Sequence, residues 1–247
     1  MDPRLYEDYA RIQGEHWWFL GRRRIIGGIL GRHLEGDRGS GRRILDVGCG
    51  TGGMLAELRR FGTVEGVDTE PAAVELCHRR GELAVRLAPE NELPYPDGSF
   101  ELVTLLDVIE HAKDDQTLLA EVGRVLVPGG LALVSVPAYM WMWDQQDELA
   151  HHYRRYTRPR LLASLALAGF EPVRATYFNT ILFPPVAAVR LARRLRPRPA
   201  EPGSDFDLTR PGRTNTLLAR VFGSEALWLA RANLPFGVSV VALVRRR

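Results

Sequence analysis

The sequence predicts an α/β fold in which a mostly parallel sheet is covered by helices. Three observations carry this. Short apolar runs alternate with helical stretches from Arg42 onward. The first run, 44–47, enters a loop with glycine at positions 48, 50, 52 and 53, and a helical stretch follows. The run 100–106 is apolar enough to be buried on both faces, as parallel strands are. Such alternation gives parallel strands joined by helical crossovers, with the site at the carboxyl ends of the strands.

Residues 1–41 read as two helical pieces that form an N-terminal cap. Tyr6, Tyr9, Ile12 and Gln13 lead to His16-Trp17-Trp18-Phe19. After Arg22-Arg23-Arg24, the residues Ile25, Ile26, Ile29 and Leu30 recur at helical spacing. A loop is expected at 36–41. Residues 44–47 form the first strand, and 52–60 a helix with Leu55 and Leu58 facing inward. The second strand covers 64–68. Pro71 suits the first turn of a helix that ends near Arg80, where Gly81 stops it. Strands follow at 85–87 and 100–106. Asp114 or Asp115 caps the next helix, which presents Leu118, Val122, Val125 and Leu126 on one side and stops at Pro128-Gly129-Gly130. Residues 131–136 are the fifth strand and 160–168 a helix ended by Gly169. The last strands are expected at 173–178 and 238–244. Between them, Pro184-Pro185 precedes Arg190, Arg193, Arg194 and Arg196, and the Pro-, Arg- and Gly-rich stretch 197–213 reads as mobile. Leu217, Val221, Phe222, Trp228 and Leu229 then share a helical apolar face. The expected organisation is a core of 42–180 plus 235–247, interrupted by a helical insertion, 181–234, that serves as a lid or a membrane-surface element.

Composition excludes more than it selects. A chain of 247 residues with 45% hydrophobic and 26% charged residues can bury one full core. Lys and Arg total 33 against 30 for Asp and Glu, a net charge of +3. That falls short of the basic stripe expected of a nucleic-acid-binding protein, so no nucleic-acid partner is expected. Two cysteines, Cys49 and Cys77, give no disulfide framework, and both read as small buried fillers. No apolar segment follows Met1-Asp2-Pro3-Arg4, and no run reaches the roughly 18 apolar residues of a span. The expected location is cytoplasmic, with 181–234 offering a peripheral membrane contact.

The glycine loop fits two cofactors. Gly48, Gly50 and Gly53 satisfy the dinucleotide fingerprint, whereas Asp46 with Gly48, Gly50 and Gly52 satisfies that of S-adenosylmethionine (SAM) enzymes. Ligand charge separates them. A dinucleotide places its pyrophosphate on backbone amides at the helix N-terminus. A carboxylate two residues before the first glycine opposes those phosphates. SAM carries a sulfonium and an ammonium, which Asp46 favours, and bare glycine backbone lets the ligand lie close.

These residues resemble the class I SAM-dependent methyltransferases, in particular the type 11/12 group that includes ubiquinone-biosynthesis-like enzymes. Asp68 ends the second strand twenty residues after Gly48, where the family places an acid on the ribose hydroxyls. Leu93-Pro94-Tyr95-Pro96-Asp97-Gly98-Ser99-Phe100 is similar to the family's entry to strand four, Leu106-Asp107-Val108-Ile109-Glu110-His111 to its post-strand-four motif, and Val127-Pro128-Gly129-Gly130 to the turn before strand five. The match covers roughly 42–140. The resemblance implies a Rossmann-like, mostly parallel seven-stranded sheet with an antiparallel last strand, SAM as cofactor and S-adenosylhomocysteine as product. One departure is Ala88-Pro89-Glu90, where the family has a polar residue followed by alanine; Pro89 offers no N–H, and Glu90 is the substitute expected at the adenine.

The resulting cofactor candidates are Asp46, Gly48, Cys49, Gly50, Gly52, Asp68, Thr69, Glu90, Asp107 and Val108. Trp18 and Arg23 join them from a cap that closes over the methionine end, with Arg22 or Arg23 facing its carboxylate. The plain alternatives are acids that cap turns and aromatic residues that pack helix to sheet. Thr51 reads as a helix N-cap. His111, His151 and His152 are the candidate proton acceptors, and a loop-ordering role for His111 weighs equally. The stretch after strand five supplies Tyr139, Trp143, Arg154 and Arg155 as acceptor-pocket candidates, with either arginine facing an anionic group. Asp147 and His151 share a helical spacing, but no third ligand is evident and no metal is expected. Glu225 falls on an apolar helix face, as a salt-bridge partner or a pocket carboxylate.

The function expected is methyl transfer from SAM to a small-molecule or lipid-linked acceptor, at oxygen. Three rivals stand beside it. A nucleic-acid methyltransferase would carry Asn or Asp with Pro-Pro and an aromatic residue after strand four, where this chain has Asp107-Val108-Ile109-Glu110. A non-catalytic SAM-binding module would bind SAM without turnover. A nicotinamide-dependent oxidoreductase would bind NAD instead.

Overall fold

The computed structural model describes residues 3–34, 41–194 and 212–247. The loop expected at 36–41, Gly41 apart, lies outside the described residues, as do Arg196 and the stretch 197–211. Two helices open the chain, α1 (Pro3–Ile12) and α2 (Trp17–Leu34). Strand β1 (Arg43–Val47) passes through the glycine loop to a single turn, α3 (Leu55–Leu58). Next come β2 (Thr63–Asp68), α4 (Pro71–Arg79) and β3 (Val85–Leu87). They are followed by β4 (Phe100–Leu106), α5 (Asp115–Val125) and β5 (Leu126–Pro137). The remainder is α6 (Gln145–Leu149), α7 (Arg158–Leu167), β6 (Phe170–Phe178), α8 (Phe183–Arg194), α9 (Arg213–Leu229) and β7 (Ser239–Arg246).

The seven strands form one sheet in the order β3-β2-β1-β4-β5-β7-β6. β1 pairs in parallel with β2 and β4, and β4 with β5, while β7 runs antiparallel to both β5 and β6. Strand order therefore reverses on either side of β1, and the crevice at the carboxyl ends of β1 and β4 is where such sheets bind ligands. Alternate residues of β1 feed two cores. Leu45 and Val47 pack with Leu118 and Val122 of α5 and Leu161 and Leu165 of α7. Ile44 packs on the other face with Ile25 and Ile29 of α2, Leu58 of α3, Cys77 of α4 and Phe222 of α9.

Local signals fix most boundaries. Pro71 starts α4, the Asp114 carboxylate accepts the N–H groups of Gln116 and Thr117 at the start of α5, and Gly169 ends α7 at φ +88°. Two boundaries differ from those expected. The helix expected over 52–60 is only one turn, because Gly48, Gly50 and Gly52 hold left-handed backbone (φ +66°, +55° and +81°) and the chain is still turning at Met54. Helix α5 stops at Val125, not at Pro128. Leu126 is wholly buried and already pairs with Phe100, and the Pro128-Gly129-Gly130 kink lies inside β5, where pairing resumes at Leu102 with Leu131.

The segment between β6 and β7 is tied to the N-terminal helices. Phe222 of α9 meets Trp17 edge-on at 5.7 Å and stacks on Phe178 of β6 at 6.3 Å. A Cβ on Gly21 of α2 would stand 2.2 Å from the Phe222 ring, so the two helices approach this closely only with glycine there. Asn215 accepts the Trp17 N–H at 2.8 Å and donates to the Glu15 carbonyl at 2.8 Å. No helix among the described residues is long and apolar enough to cross a membrane.

Candidate functional site

A cavity of about 770 Å³ opens at the carboxyl ends of β1, β2 and β4 and runs beneath α1, α2 and α8. Its floor is the glycine loop. Gly48 must be glycine twice over: its φ is +66°, and a Cβ would lie 2.6 Å from Val108. A Cβ on Gly50 would meet nothing within 4 Å, so that backbone faces open space. Gly52 turns the chain at φ +81° and packs near Cys77 and Leu55. Cys49 is buried, and its N–H donates to the Val67 carbonyl at 3.0 Å, fastening the loop to β2. Thr51, expected as a helix N-cap, instead donates its hydroxyl to Gln13 Oε1 at 2.8 Å, while Gln13 Nε2 donates to the Thr51 carbonyl. The end of the N-terminal helix thus clasps the loop.

Two acids flank that floor. Asp46 is buried on β1 and accepts the Thr104 hydroxyl at 2.6 Å. Burial pushes its carboxyl up to about 6, against the pull of the Thr104 bond and the Arg22 charge. Asp68, at the end of β2, accepts the Gly50 N–H at 2.7 Å and the Glu70 N–H at 3.0 Å. Burial raises its pKa as well. Asp68 therefore caps a turn and lines the cavity at once. Thr69, Pro89 and Glu90 lie at the same rim, exposed, and line the cavity.

The cap contributes a different arginine from the one singled out. Arg22, not Arg23, lines the cavity. Its guanidinium pairs with the Asp107 carboxylate and lies 4.4 Å over the Trp18 ring. One helical position further on, Arg23 turns away and donates to the Gln13 carbonyl at 2.8 Å. Asp107 adopts φ +60° just past β4, its N–H donating to the Ser135 carbonyl at 2.9 Å. That left-handed step aims Asp107 and Val108 at the glycine loop.

The far end of the cavity is built from the segments after β4 and α6. Tyr153 N–H donates to the Glu110 carbonyl at 2.8 Å, and the rings of His111 and His152 meet edge to face at 4.5 Å. His111 is pushed down to about 3, by burial first and then by its neighbour His152, so it is uncharged and a poor proton acceptor at neutral pH. His152 Nδ1 lies 2.8 Å from Asp147 Oδ1. His151 adopts φ +55° beyond the end of α6; it is exposed and reaches only the cavity rim. The expected pairing of Asp147 with His151 is therefore replaced by one with His152.

The acceptor-side arginines are already engaged. Arg155 grips Asp147 with Nε and Nη2 at 2.7 and 2.9 Å and donates to the Ala138 carbonyl at 3.0 Å. Although burial raises the Asp147 pKa, the His152 and Arg155 hydrogen bonds bring it below the usual carboxylate range. Arg154 pairs with Asp115 at 3.3 Å and donates to the Lys113 carbonyl, away from the cavity. With both guanidiniums matched, neither presents the open anion site expected of it. Tyr139 is stacked on Tyr177 at 5.3 Å and Trp141 at 5.8 Å; neither it nor Trp143 is among the described residues that line the cavity. Among the described residues Glu225 has no salt-bridge partner and does not line the cavity: it accepts the Ile181 N–H at 2.8 Å and caps the turn after β6.

Several lining residues were not picked out as site residues by the sequence. Glu110 stands out in the sequence only as part of the motif after strand four, and Gln13 only as part of a helix. Arg190, from α8, donates to the Met142 carbonyl at 2.7 Å and to Asp144 at 2.8 Å, docking α8 onto the segment after β5. Its signal was an arginine breaking the apolar side of a helix. Leu182, Pro185, Val186 and Val189 complete an apolar wall there.

Comparison with known proteins places this geometry. A family model described as a methyltransferase domain matches residues 45–134. A probable S-adenosylmethionine-dependent methyltransferase of Mycolicibacterium smegmatis is 33% identical over 163 residues, 64% of this chain and 60% of that protein, so the chain spans less than two thirds of its length. A malonyl-(acyl-carrier protein) O-methyltransferase of Halorhodospira halophila is 31% identical over 216 residues, 81% of this chain and 71% of that one. A SAM-dependent methyltransferase structure from Archaeoglobus fulgidus aligns with a TM-score of 0.58 at 18% identity over 91% of this chain and 94% of that one, a likeness of fold.

Proposed function

The chain belongs to the class I SAM-dependent methyltransferases, and from that premise we propose that it methylates a hydroxyl oxygen of a small or lipid-linked acceptor bound at the histidine-lined end of the cavity. The supporting observation is that one cavity joins a cation-favouring floor to an apolar wall.

The residues present fit SAM. Asp46 and Asp68 are buried carboxylates, and the open backbone at Gly50 leaves room for a nucleoside. When bound, SAM supplies an electrophilic methyl group on a sulfonium. Asp68 would face its ribose hydroxyls, Asp46 its cationic end, and Arg22 with Trp18 would close over the amino-acid portion. Glu110, His111 and His152 mark the opposite end, where the acceptor oxygen would sit. Leu182, Pro185, Val186 and Val189 give that end an apolar lining suited to an acceptor with a hydrocarbon portion. The contribution of this chain is positioning and exclusion of water, which account for much of the rate of a bimolecular transfer.

The test is a screen for S-adenosylhomocysteine formation against hydroxylated acceptors with and without an alkyl or prenyl chain, beside matched amines. Turnover with hydroxyl acceptors, improved by the chain, is the expected outcome. Turnover confined to amines would reassign the methylated atom, and SAM binding without any turnover would favour a binding module.

A further inference from the structure

We propose that Glu110, His111 and His152 form a binding site for one divalent transition-metal ion at the acceptor end of the cavity. Glu110 and His111 follow β4, and His152 follows α6. The Tyr153–Glu110 backbone bond draws the two segments together, and one ligand atom from each of the three residues lies within 4.8 Å of the others.

The donor set has the chemistry of a metal site. Two imidazoles and one carboxylate suit zinc, iron(II) or a similar first-row ion, whereas calcium and magnesium prefer oxygen alone. Three protein ligands with one position left open are also the pattern of a catalytic metal. Bonds of about 2.0–2.1 Å hold tetrahedral ligand atoms roughly 3.4 Å apart, so closure around an ion takes an ångström-scale side-chain rotation.

Glu110 supplies the independent observation. It is wholly buried, and neither carboxylate oxygen has a hydrogen-bond partner on another of the described residues. Buried polar groups are almost always satisfied, and leaving a carboxyl unpaired is costly. Edge-to-face contact between the two imidazoles accounts for their own packing but leaves Glu110 without a partner; a cation between them supplies one.

The surrounding groups point the same way. Histidines that bind metals donate their second ring nitrogen to a carboxylate or carbonyl, which fixes the ring and aims the other nitrogen. His152 Nδ1 meets Asp147 Oδ1 at 2.8 Å, and Asp147 is itself clamped by Arg155. The His152 ring is thus held from behind. Asp147, which sequence spacing suggested as a ligand, stands one layer back.

All three residues line the cavity. The open coordination position would therefore face the acceptor, and a bound hydroxyl would become more acidic there. That consequence rests on the function proposed above; the metal site itself is read without turnover.

The experiment uses the full chain, stripped with a chelator and dialysed, with neither SAM nor acceptor present. Cobalt(II) chloride is titrated in while the visible d–d bands are recorded, and zinc chloride binding is measured by calorimetry. The expected result is one ion per chain. Glu110→Gln and His152→Gln should each weaken metal binding by about a hundredfold and Asp147→Asn by roughly tenfold, while SAM affinity, measured in parallel, stays intact and reports folding. No stoichiometric binding by the native chain, or native metal affinity retained in both Glu110→Gln and His152→Gln, would overturn the site. Metal binding without turnover of any hydroxyl acceptor would instead sink the proposed reaction and leave the site standing.

Discussion

Asp46 is cut off from solvent on β1, yet it lies beside the space where a sulfonium ligand would bind. Burial pushes its carboxyl up to about 6, with Asp68 adding to the shift and Thr104 and Arg22 opposing it. Because the folded value exceeds the unfolded one, the native state holds the proton more tightly. Stability contributed by neutral Asp46 is fully present below about pH 4 and is lost as pH rises to about 6. A cationic ligand works in the opposite sense, favouring the ionised form. SAM affinity, followed by calorimetry, should therefore be flat above about pH 6 and fall by up to tenfold per unit below it. Asp46→Asn should keep the Thr104 hydrogen bond, raise the melting temperature of the ligand-free protein above pH 6, and weaken SAM binding by roughly 1.5–3 kcal/mol. If the variant retained the native pH slope, the titrating proton would belong to Asp68. Asp46 and Asp68 were legible in the sequence because they sit at fixed offsets from glycines whose positive φ leaves little freedom. Arg22 could not be told from Arg23 in that way. They are adjacent on one helix, and only the docking of α2 decides which faces inward.

At the scale of elements, the central strands were readable because burial on both faces leaves an uninterrupted apolar signature. The length of α3 was not, since helical spacing continues through a loop that three left-handed glycines keep from becoming helix. The packing of α9 against α2 was also hidden: it depends on Gly21 and Phe222, far apart in sequence and each unremarked in its own helix. This contact matters because α2 carries Trp18 and Arg22 to the cavity. Phe222 is wholly buried, and Phe222→Ala should cost about 3–5 kcal/mol in denaturant unfolding, with SAM affinity falling as α2 loses its support. A loss below about 1 kcal/mol would mean that α9 rests on α2 without stabilising it, since surface substitutions stay in that range.

For the whole molecule, the sheet supplies a cofactor floor common to its family, and the segments that cover it set what else can enter. The cover over the histidine-lined end of the cavity contains one buried charge cluster. Asp144 and Asp147 on the segment after β5 face Arg155 from the same segment and Arg190 from α8. Arg190 ties α8 to that segment through both a carbonyl and a carboxylate, and Arg193 of the same helix pairs with Asp144 at 3.2 Å. Removing one partner from a buried pair strands the other, typically at a cost of about 3–5 kcal/mol. Part of that cost can be relieved locally, because α8 can lift off while the sheet stays intact. Arg190→Ala should therefore speed hydrogen exchange along α8 while the amides of β1 and β4 remain protected. SAM affinity should change little, since Asp46, Asp68 and the glycine loop lie on the sheet. The Michaelis constant for an acceptor with a hydrocarbon chain should rise about tenfold, and that for a chainless acceptor should change less. Equal effects on both acceptors would mean that α8 positions the reacting group and not the chain, and unchanged exchange along α8 would show that Arg193 and the apolar wall hold it down without Arg190.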